Sequence, residues 1–135
     1  MSLKTQSLQI VIMAGGRGKR MAPLTDDIPK PMIRVGGKPF LEHLIDRLIA
    51  QGCSRFLLLL GYRHDVITDY FGDGSRWGVR IEYSVSPQED ETGLRLKRAQ
   101  AKLDPIFMLL YCDNIWPLRL NRLLDHYQIT GADAQ

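Results

Sequence analysis

Residues 8–21 read L-Q-I-V-I-M-A-G-G-R-G-K-R-M, an apolar run followed directly by a glycine-rich loop. We expect a buried β-strand over Leu8–Met13, because the run is short, is apolar apart from Gln9 and ends at turn residues. Three glycines in four residues then let backbone N–H groups approach an anion closely. The stretch predicts a strand that ends at an anion-binding loop, although a plain strand-to-loop turn explains the glycines alone equally well.

Short apolar runs alternate with amphipathic segments along the rest of the chain. Further strands are predicted at Phe56–Leu60, Val79–Val85 and Ile106–Tyr111, and helices at Phe40–Ala50, Asp65–Phe71, Thr92–Leu103 and Leu118–Ile129. The stretch from Ala14 to Pro39 is punctuated by Gly and Pro and is predicted to be irregular. This alternation indicates an α/β fold with a mostly parallel sheet covered by helices. Ligands of such sheets bind beyond the carboxyl ends of the strands, where the glycine loop and Asp113 both lie.

The composition is that of an ordinary globular protein. The chain has 135 residues, of which 44% are hydrophobic and 24% charged, and this excludes disordered and fibrous classes. The net charge of +3 is small, but residues 1–38 hold seven basic and two acidic side chains. This local excess predicts contact with an anion. It clusters in one loop rather than along a helix face, which disfavours a nucleic-acid binder.

Membrane insertion and disulfide chemistry are both disfavoured by the sequence. The longest apolar run near the N-terminus, Leu8–Ala14, is far shorter than the ~20 residues that cross a bilayer. No signal peptide is recognisable. Cys53 and Cys112 form neither a disulfide framework nor a metal-ligand spacing. We therefore expect a reduced, cytoplasmic protein without a membrane partner, and a packed thiol at Cys112.

A lysine held between two prolines follows the glycine loop. The segment is Pro29-Lys30-Pro31-Met32, and each proline fixes its own φ and restricts the residue before it. Lys30 is therefore expected to be aimed at a ligand. The alternative is a rigid turn with an exposed lysine.

Together these motifs resemble the nucleotidyltransferases that make nucleotide sugars. The pieces A-G-G-R-G-K-R-M, P-L-T, P-K-P-M and V-G-G-K-P-F follow the family's order and spacing, and the likeness continues to about Pro117. The resemblance implies a Rossmann-like three-layer sandwich of the nucleotide-diphospho-sugar transferase type. It also implies a reaction between an NTP and a sugar 1-phosphate, with Mg²⁺ as cofactor, that gives a nucleotide sugar and pyrophosphate.

The resemblance also assigns roles to individual residues of this chain. Arg20 would stabilise the triphosphate, and Lys30 would bridge the α-phosphate and the sugar phosphate as the second catalytic cation. Asp113 would hold Mg²⁺, and the physical argument agrees, because a carboxylate at the mouth of a parallel sheet can hold a cation that bridges phosphates. A turn cap is the alternative for Asp113. The implied nucleotide-binding residues are Ala14, Gly15, Gly16, Arg17, Gly18, Thr92 and Gly93.

Some positions depart from the family pattern. Glu91 and Leu94 replace glycines of the family's base- and sugar-contacting loop, and Cys112 replaces the glycine before the metal ligand. Thr92 has a helix N-cap as its alternative role. Residues 111–114, Y-C-D-N, resemble the corresponding residues of the family branch that activates D-glycero-D-manno-heptose 1-phosphate. The favoured substrates are therefore GTP with heptose or mannose 1-phosphate, while glucose 1-phosphate stays open.

We expect residues 1–135 to be the N-terminal, nucleotide-binding portion of a transferase domain, truncated at its C-terminus, because family catalytic domains are longer. An exposed sheet edge in such a piece favours a homo-oligomer or instability. One competing function is a nucleotide- or sugar-phosphate-binding module without turnover. Another is a dinucleotide dehydrogenase, which the glycine pattern and the absence of an acidic residue after the second strand disfavour.

Overall fold

A computed structural model of the protein describes residues 4–15 and 28–112. In chain order its strands and helices are β1 (Gln9–Met13), β2 (Arg34–Val35), β3 (Lys38–Pro39), α1 (Phe40–Ala50), β4 (Arg55–Leu60), α2 (His64–Phe71), β5 (Arg80–Val85), α3 (Thr92–Arg98) and β6 (Phe107–Tyr111). Short 3₁₀ turns cover Lys30–Met32, Ser75–Trp77 and Gln100–Lys102. Within these described ranges no helix is long and apolar enough to span a bilayer. The helix predicted at Leu118–Ile129 lies outside the described residues.

The central sheet is parallel, with the strand order β5-β4-β1-β6. Gln9 at the start of β1 faces Arg55 of β4 on one side and Phe107 of β6 on the other. The chain builds outward from β1 through β4 to β5, and then crosses back to place β6 on the opposite side of β1. The order therefore reverses between β1 and β6, and a crevice opens at such a point beyond the carboxyl ends of the strands.

Alternate residues of β1 face two different helical layers. Ile10 and Ile12 belong to the large apolar cluster that contains the buried faces of α1 and α2. Val11 and Met13 belong to a second cluster with Ala99, at the end of α3. The sheet thus lies between helices on both faces. The predicted three-layer α/β sandwich with a mostly parallel sheet is confirmed.

Helix α1 begins and ends where its sequence predicts. Its apolar residues recur at helical spacing and are buried, namely Leu41, Leu44, Ile45 and Leu48. Gly52 follows the helix with a φ of 93°. The N–H groups of Gly52 and Cys53 donate to the carbonyls of Ile49 and Leu48, at 2.9 and 3.0 Å. This is a Schellman motif, whose left-handed position favours glycine.

Helix α3 is shorter than predicted. The sequence favours a helix over Thr92–Leu103, but the helix ends at Arg98 and a 3₁₀ turn follows. A long-range contact explains the early end: the buried amide of Gln9 donates to the carbonyl of Lys102 and accepts from the N–H of Asp104, both at 2.8 Å. These bonds hold the chain extended at Leu103, where a continued helix would turn the N–H of Asp104 toward the carbonyl of Gln100 instead.

The segment predicted as irregular contains a small hairpin. β2 and β3 pair antiparallel, with Val35 opposite Lys38. The two residues between them are Gly36 and Gly37, with φ values of 61° and 80°. Positive φ at both central positions is characteristic of the tight turn that joins two twisted strands. The Gly-Gly pair was therefore an available signal for this hairpin.

Candidate active site

The described residues form a cavity of about 560 Å³ at the carboxyl edge of the sheet. Its wall comes from the ends of β1 and β6, the 3₁₀ turn after residue 29, the loop before α3 and the first turns of α3. The lining residues are Met13, Gly15, Lys30, Pro31, Gln88, Asp90, Glu91, Thr92, Gly93, Arg95, Tyr111 and Cys112. The cavity therefore lies at the β1/β6 reversal, where parallel α/β sheets bind their ligands.

The residues after β1 are tightly held by backbone hydrogen bonds. Ala14 is 1% exposed, and its N–H donates to the carbonyl of Leu59 at 3.0 Å. The carbonyl of Gly15 accepts from the N–H of Tyr62 at 3.1 Å. The start of the glycine loop is thus fixed against the end of β4. Gly16, Arg17, Gly18 and Arg20, the other predicted residues of this loop, lie outside the described residues.

Lys30 lines the cavity, as expected for a lysine aimed at a ligand. It begins a 3₁₀ turn, and the preceding Pro29 is extended, with φ −66° and ψ 150°. Pro29, Pro31 and Met32 are buried while Lys30 is half-buried. The backbone that carries Lys30 is therefore anchored on both sides by packed side chains.

The first residues of α3 face the same cavity. Thr92 and Gly93 both line it, as the predicted nucleotide-binding role requires. Among the described residues, a Cβ at Gly93 would meet no atom within 4 Å, so this part of the chain leaves room for a ligand beside the glycine. The alternative role of Thr92 as N-cap is wrong. The N-cap is Glu91, whose side chain makes no capping hydrogen bond, and Thr92 is the first helical residue.

Arg95 is a residue of this site that sequence reasoning missed. Its side chain lines the cavity, yet the residue is only 4% exposed. The guanidinium donates to the carbonyls of Leu60, Gln88, Asp90 and Gly15 and to the hydroxyl of Ser86. Burial lowers the pKa of Arg95, while the carboxylates of Asp90 and Glu89 act in the opposite direction. Its position four residues before the buried Ala99 was the available signal that it lies on the sheet-facing side of α3.

The described carboxylates of the cavity do not by themselves make a metal site. Asp90 accepts from Arg98 at 2.5 Å, and its side chain is 7% exposed. Within residues 4–15 and 28–112, no three His, Cys, Asp or Glu side chains converge as metal ligands. Asp113, the predicted Mg²⁺ ligand, lies outside the described residues.

Cys112, the residue before Asp113, is held beside β1. It is 8% exposed, and its N–H donates to the carbonyl of Met13 at 3.2 Å. Neither Cys53 nor Cys112 takes part in a disulfide, and both are buried. Cys112 is therefore the packed residue that the sequence predicted.

Comparison with known proteins points to one family. The model of the nucleotidyl transferase family matches residues 9–134. The chain is 34% identical over 127 residues to the UTP–glucose-1-phosphate uridylyltransferase AglF of Haloferax volcanii, covering 94% of this chain and 52% of the relative. It is 35% identical over 133 residues to the mannose-1-phosphate guanylyltransferase of Mycobacterium tuberculosis, covering 98% and 37%.

A solved structure has the same fold. HddC of Yersinia pseudotuberculosis, in complex with GMP-PN, superposes with a TM-score of 0.77 at 29% identity, covering 89% of this chain and 54% of that one. The chain thus spans about half the length of HddC and of the uridylyltransferase, and about a third of the guanylyltransferase.

Proposed function

The chain belongs to the nucleotidyl transferase family, and on this premise we propose that it takes part in the transfer of a nucleotide from an NTP to a sugar 1-phosphate. The observation that carries the proposal is the cavity at the β1/β6 reversal, in whose wall Gly15, Lys30 and Thr92 come together from three separate parts of the chain. The products are a nucleotide sugar and pyrophosphate.

The reaction asks the protein mainly to position two polyanions and to spread their charge. A phosphate oxygen of the sugar 1-phosphate attacks the α-phosphorus, and the bond from that phosphorus to the pyrophosphate oxygen breaks in line. We assign Lys30 to the α-phosphate and the sugar phosphate, because its anchored backbone presents it in the cavity wall. We assign Arg20 to the triphosphate and the leaving pyrophosphate. Preorganised cations of this kind act on charge that develops in the transition state.

The nucleotide is proposed to lie between the glycine loop and α3. Backbone N–H groups of Gly15, Gly16, Arg17 and Gly18 would cradle the phosphates, in the manner of an anion-binding nest. Ala14 would support this loop through its hydrogen bond to Leu59. Thr92 and Gly93 would contact the base and sugar, which the open space beside Gly93 supports.

Asp113 is the residue we assign to Mg²⁺. Asp90 is paired with Arg98, and no three potential metal ligands converge within residues 4–15 and 28–112, so this part of the chain does not supply the role by itself. When bound, Mg²⁺ would neutralise phosphate charge as a Lewis acid.

We favour GTP with heptose or mannose 1-phosphate as the substrate pair. The guanylyltransferase relative from M. tuberculosis and the GMP-PN complex of HddC support a guanine nucleotide. The uridylyltransferase relative of H. volcanii makes UTP with glucose 1-phosphate the competing pair.

The test is pyrophosphate release by the full chain. GTP, UTP, CTP and dTTP are each mixed with mannose, heptose and glucose 1-phosphate in the presence of Mg²⁺. Pyrophosphate release that needs both substrates supports the proposal. Asp113→Asn should abolish this release, while its circular dichroism spectrum should stay that of the wild type. NTP binding without release would instead identify a binding module, and absence of both binding and release would overturn the proposed function.

A further inference from the structure

The side chain of Arg95 joins three segments at the carboxyl edge of the sheet. Its Nη1 donates to the carbonyl of Leu60, at the end of β4, at 2.8 Å and to the hydroxyl of Ser86 at 2.9 Å. Its Nη2 donates to the carbonyls of Gly15 and Gln88, at 3.4 and 3.0 Å. Its Nε donates to the carbonyl of Asp90 at 3.1 Å. The glycine loop, the end of β4 and the loop after β5 thus share one donor group.

These contacts use the whole donor capacity of the side chain. A guanidinium has five N–H groups, and Arg95 makes five hydrogen bonds to five protein oxygens. At 4% exposure it has little surface left for a ligand. Arg95 is therefore more deeply buried than Lys30, although both are cations in the cavity wall.

Two glycines make room for this guanidinium. A Cβ on Gly15 would lie 2.3 Å from Nη1 of Arg95, and a Cβ on Gly61 would lie 2.5 Å from the same atom. Neither glycine has a positive φ, so backbone conformation does not require glycine at these two positions. The close approach of Arg95 is the feature that disfavours a side chain there. The absence of a side chain at Gly15 thus has a structural reason besides phosphate binding.

We propose that Arg95 is a positioning residue, which holds Gly15, at the start of the glycine loop, and the loop after β5 in the arrangement that receives the nucleotide without itself contacting it. For the identity of the ligand this inference rests on the proposed function. Its structural content stands on the hydrogen bonds alone. Removal of the guanidinium should loosen the carboxyl edge of the sheet selectively and weaken nucleotide binding more than it slows turnover of bound substrate.

Amide hydrogen exchange of the full chain without nucleotide tests the structural part. The variants are Arg95→Met, which removes all five donors, and Arg95→Lys, which keeps the charge and part of the donor capacity. Arg80→Met is the matched control, because the side chain of Arg80 is 74% exposed at the start of β5. The reporters are the N–H groups of Tyr62 and Ser86, which bond to the carbonyls of Gly15 and Leu60. The N–H of Cys53, bonded to Leu48, reports on the opposite edge.

We expect Arg95→Met to speed exchange at Tyr62 and Ser86 by about tenfold or more, with Cys53 unchanged. Arg95→Lys should give exchange rates at Tyr62 and Ser86 between those of the wild type and Arg95→Met. Arg80→Met should leave these rates unchanged. Equal acceleration at all three reporters would show general destabilisation and overturn the inference. If Arg95→Met does not fold, Arg95→Lys supplies the same comparison between the two edges.

Kinetics test the functional part. In the transfer assay, KM for the NTP should rise about tenfold in Arg95→Met while kcat changes much less, and Arg95→Lys should recover part of the affinity. A loss confined to kcat would overturn the positioning role and indicate contact with the reacting groups. If the wild-type chain neither binds an NTP nor releases pyrophosphate, the proposed function fails, and hydrogen exchange alone decides whether Arg95 holds the edge together.

Discussion

Lys30 owes its place in the cavity wall to the residues around it. Pro29 and Pro31 are buried on either side, and the N–H of Met32 closes the turn on the carbonyl of Pro29 at 2.9 Å. The side chain therefore starts from a backbone that has little freedom. Lys38, eight residues further on, has a different setting, because it does not line the cavity. Its ammonium group pairs with Asp46 at 2.7 Å on the outside of α1.

Lys30→Ala should reduce turnover about 10²–10³-fold, because it removes the cation that we propose acts on developing phosphate charge. The dissociation constant of the NTP should change much less, since the glycine loop and α3 remain. The measurements are kcat from pyrophosphate release and the dissociation constant from calorimetry. Lys38→Ala is the matched control and should leave both values near those of the wild type. Near-normal turnover in Lys30→Ala would remove this residue from the proposed chemistry.

Residues that line the cavity were easier to find in the sequence than the residues that support them. Of the predicted site residues that the structure describes, Gly15, Lys30, Thr92 and Gly93 lie in one cavity wall, whereas Ala14 is buried and does not line it. Each belongs to a local motif whose residues are close together in the chain. Arg95 was missed because two of its hydrogen-bond partners, the carbonyls of Leu60 and Gly15, lie 35 and 80 residues away in the chain. Such partners depend on the tertiary fold and leave no local pattern.

At the level of elements, a buried carboxylate joins α1 to the segment that contains α2. Glu42 of α1 is 9% exposed, and its two oxygens accept from the hydroxyl of Tyr70 and from Nε1 of Trp77, the latter at 3.3 Å. The hydrogen bond to Glu42 raises the pKa of Tyr70. Arg76 stacks over the Trp77 ring at 4.6 Å. This polar contact fixes how α2 and the 3₁₀ turn after it sit on α1.

Glu42→Ala should lower the free energy of unfolding by about 2–3 kcal/mol, because two half-buried donors lose a charged acceptor. Glu42→Gln keeps one acceptor oxygen and should lose roughly half as much. Urea unfolding followed by tryptophan fluorescence measures both. Glu82→Ala removes a glutamate that pairs with the exposed Arg80 and should change stability by less than about 1 kcal/mol. Equal losses at Glu42 and Glu82 would contradict the role of this contact.

Element identity followed from the sequence more reliably than element ends. The helix over Phe40–Ala50 agrees with the prediction, because its apolar spacing and the following glycine are local signals. α3 ends early because Gln9, some ninety residues away, takes the backbone groups beyond it. No local sequence pattern near Arg98 indicates that Gln9 bonds to the chain just beyond it.

For the whole molecule, the class of the sheet was predictable and the order of its strands was not. Apolar runs such as Phe56–Leu60 indicate parallel strands that are covered on both faces. In the structure all five residues of this run are buried. The sequence leaves open on which side of β1 each later strand pairs. The placement of β6 beside β1 is the step that brings Cys112 within hydrogen-bond distance of Met13 and creates the cavity.

The free energy of unfolding of the whole molecule should respond to alkaline pH through the buried thiol of Cys53. Cys53 is 2% exposed within the large apolar cluster, and burial raises the pKa of Cys53 from 9.0 to about 11. Once the chain unfolds, the thiol ionises near 9.0. Between pH 9 and 11 the unfolded state therefore binds fewer protons than the folded state, so stability falls as pH rises. Well below pH 9 the thiol is protonated in both states and makes no difference.

The free energy of unfolding should therefore drop by about 1 kcal/mol from this thiol between roughly pH 8 and pH 10. Urea unfolding under reducing conditions at a series of pH values measures the drop. Cys53→Ala leaves a small cavity and is less stable at every pH, but its stability should decline less over that interval. The quantity to compare is therefore the slope of the free energy of unfolding against pH, rather than its absolute value. Burial also raises the pKa of Tyr83, to about 12, which adds a second decline that begins only near pH 10. Parallel slopes for the wild type and Cys53→Ala below that pH would contradict an ionisation confined to the unfolded chain.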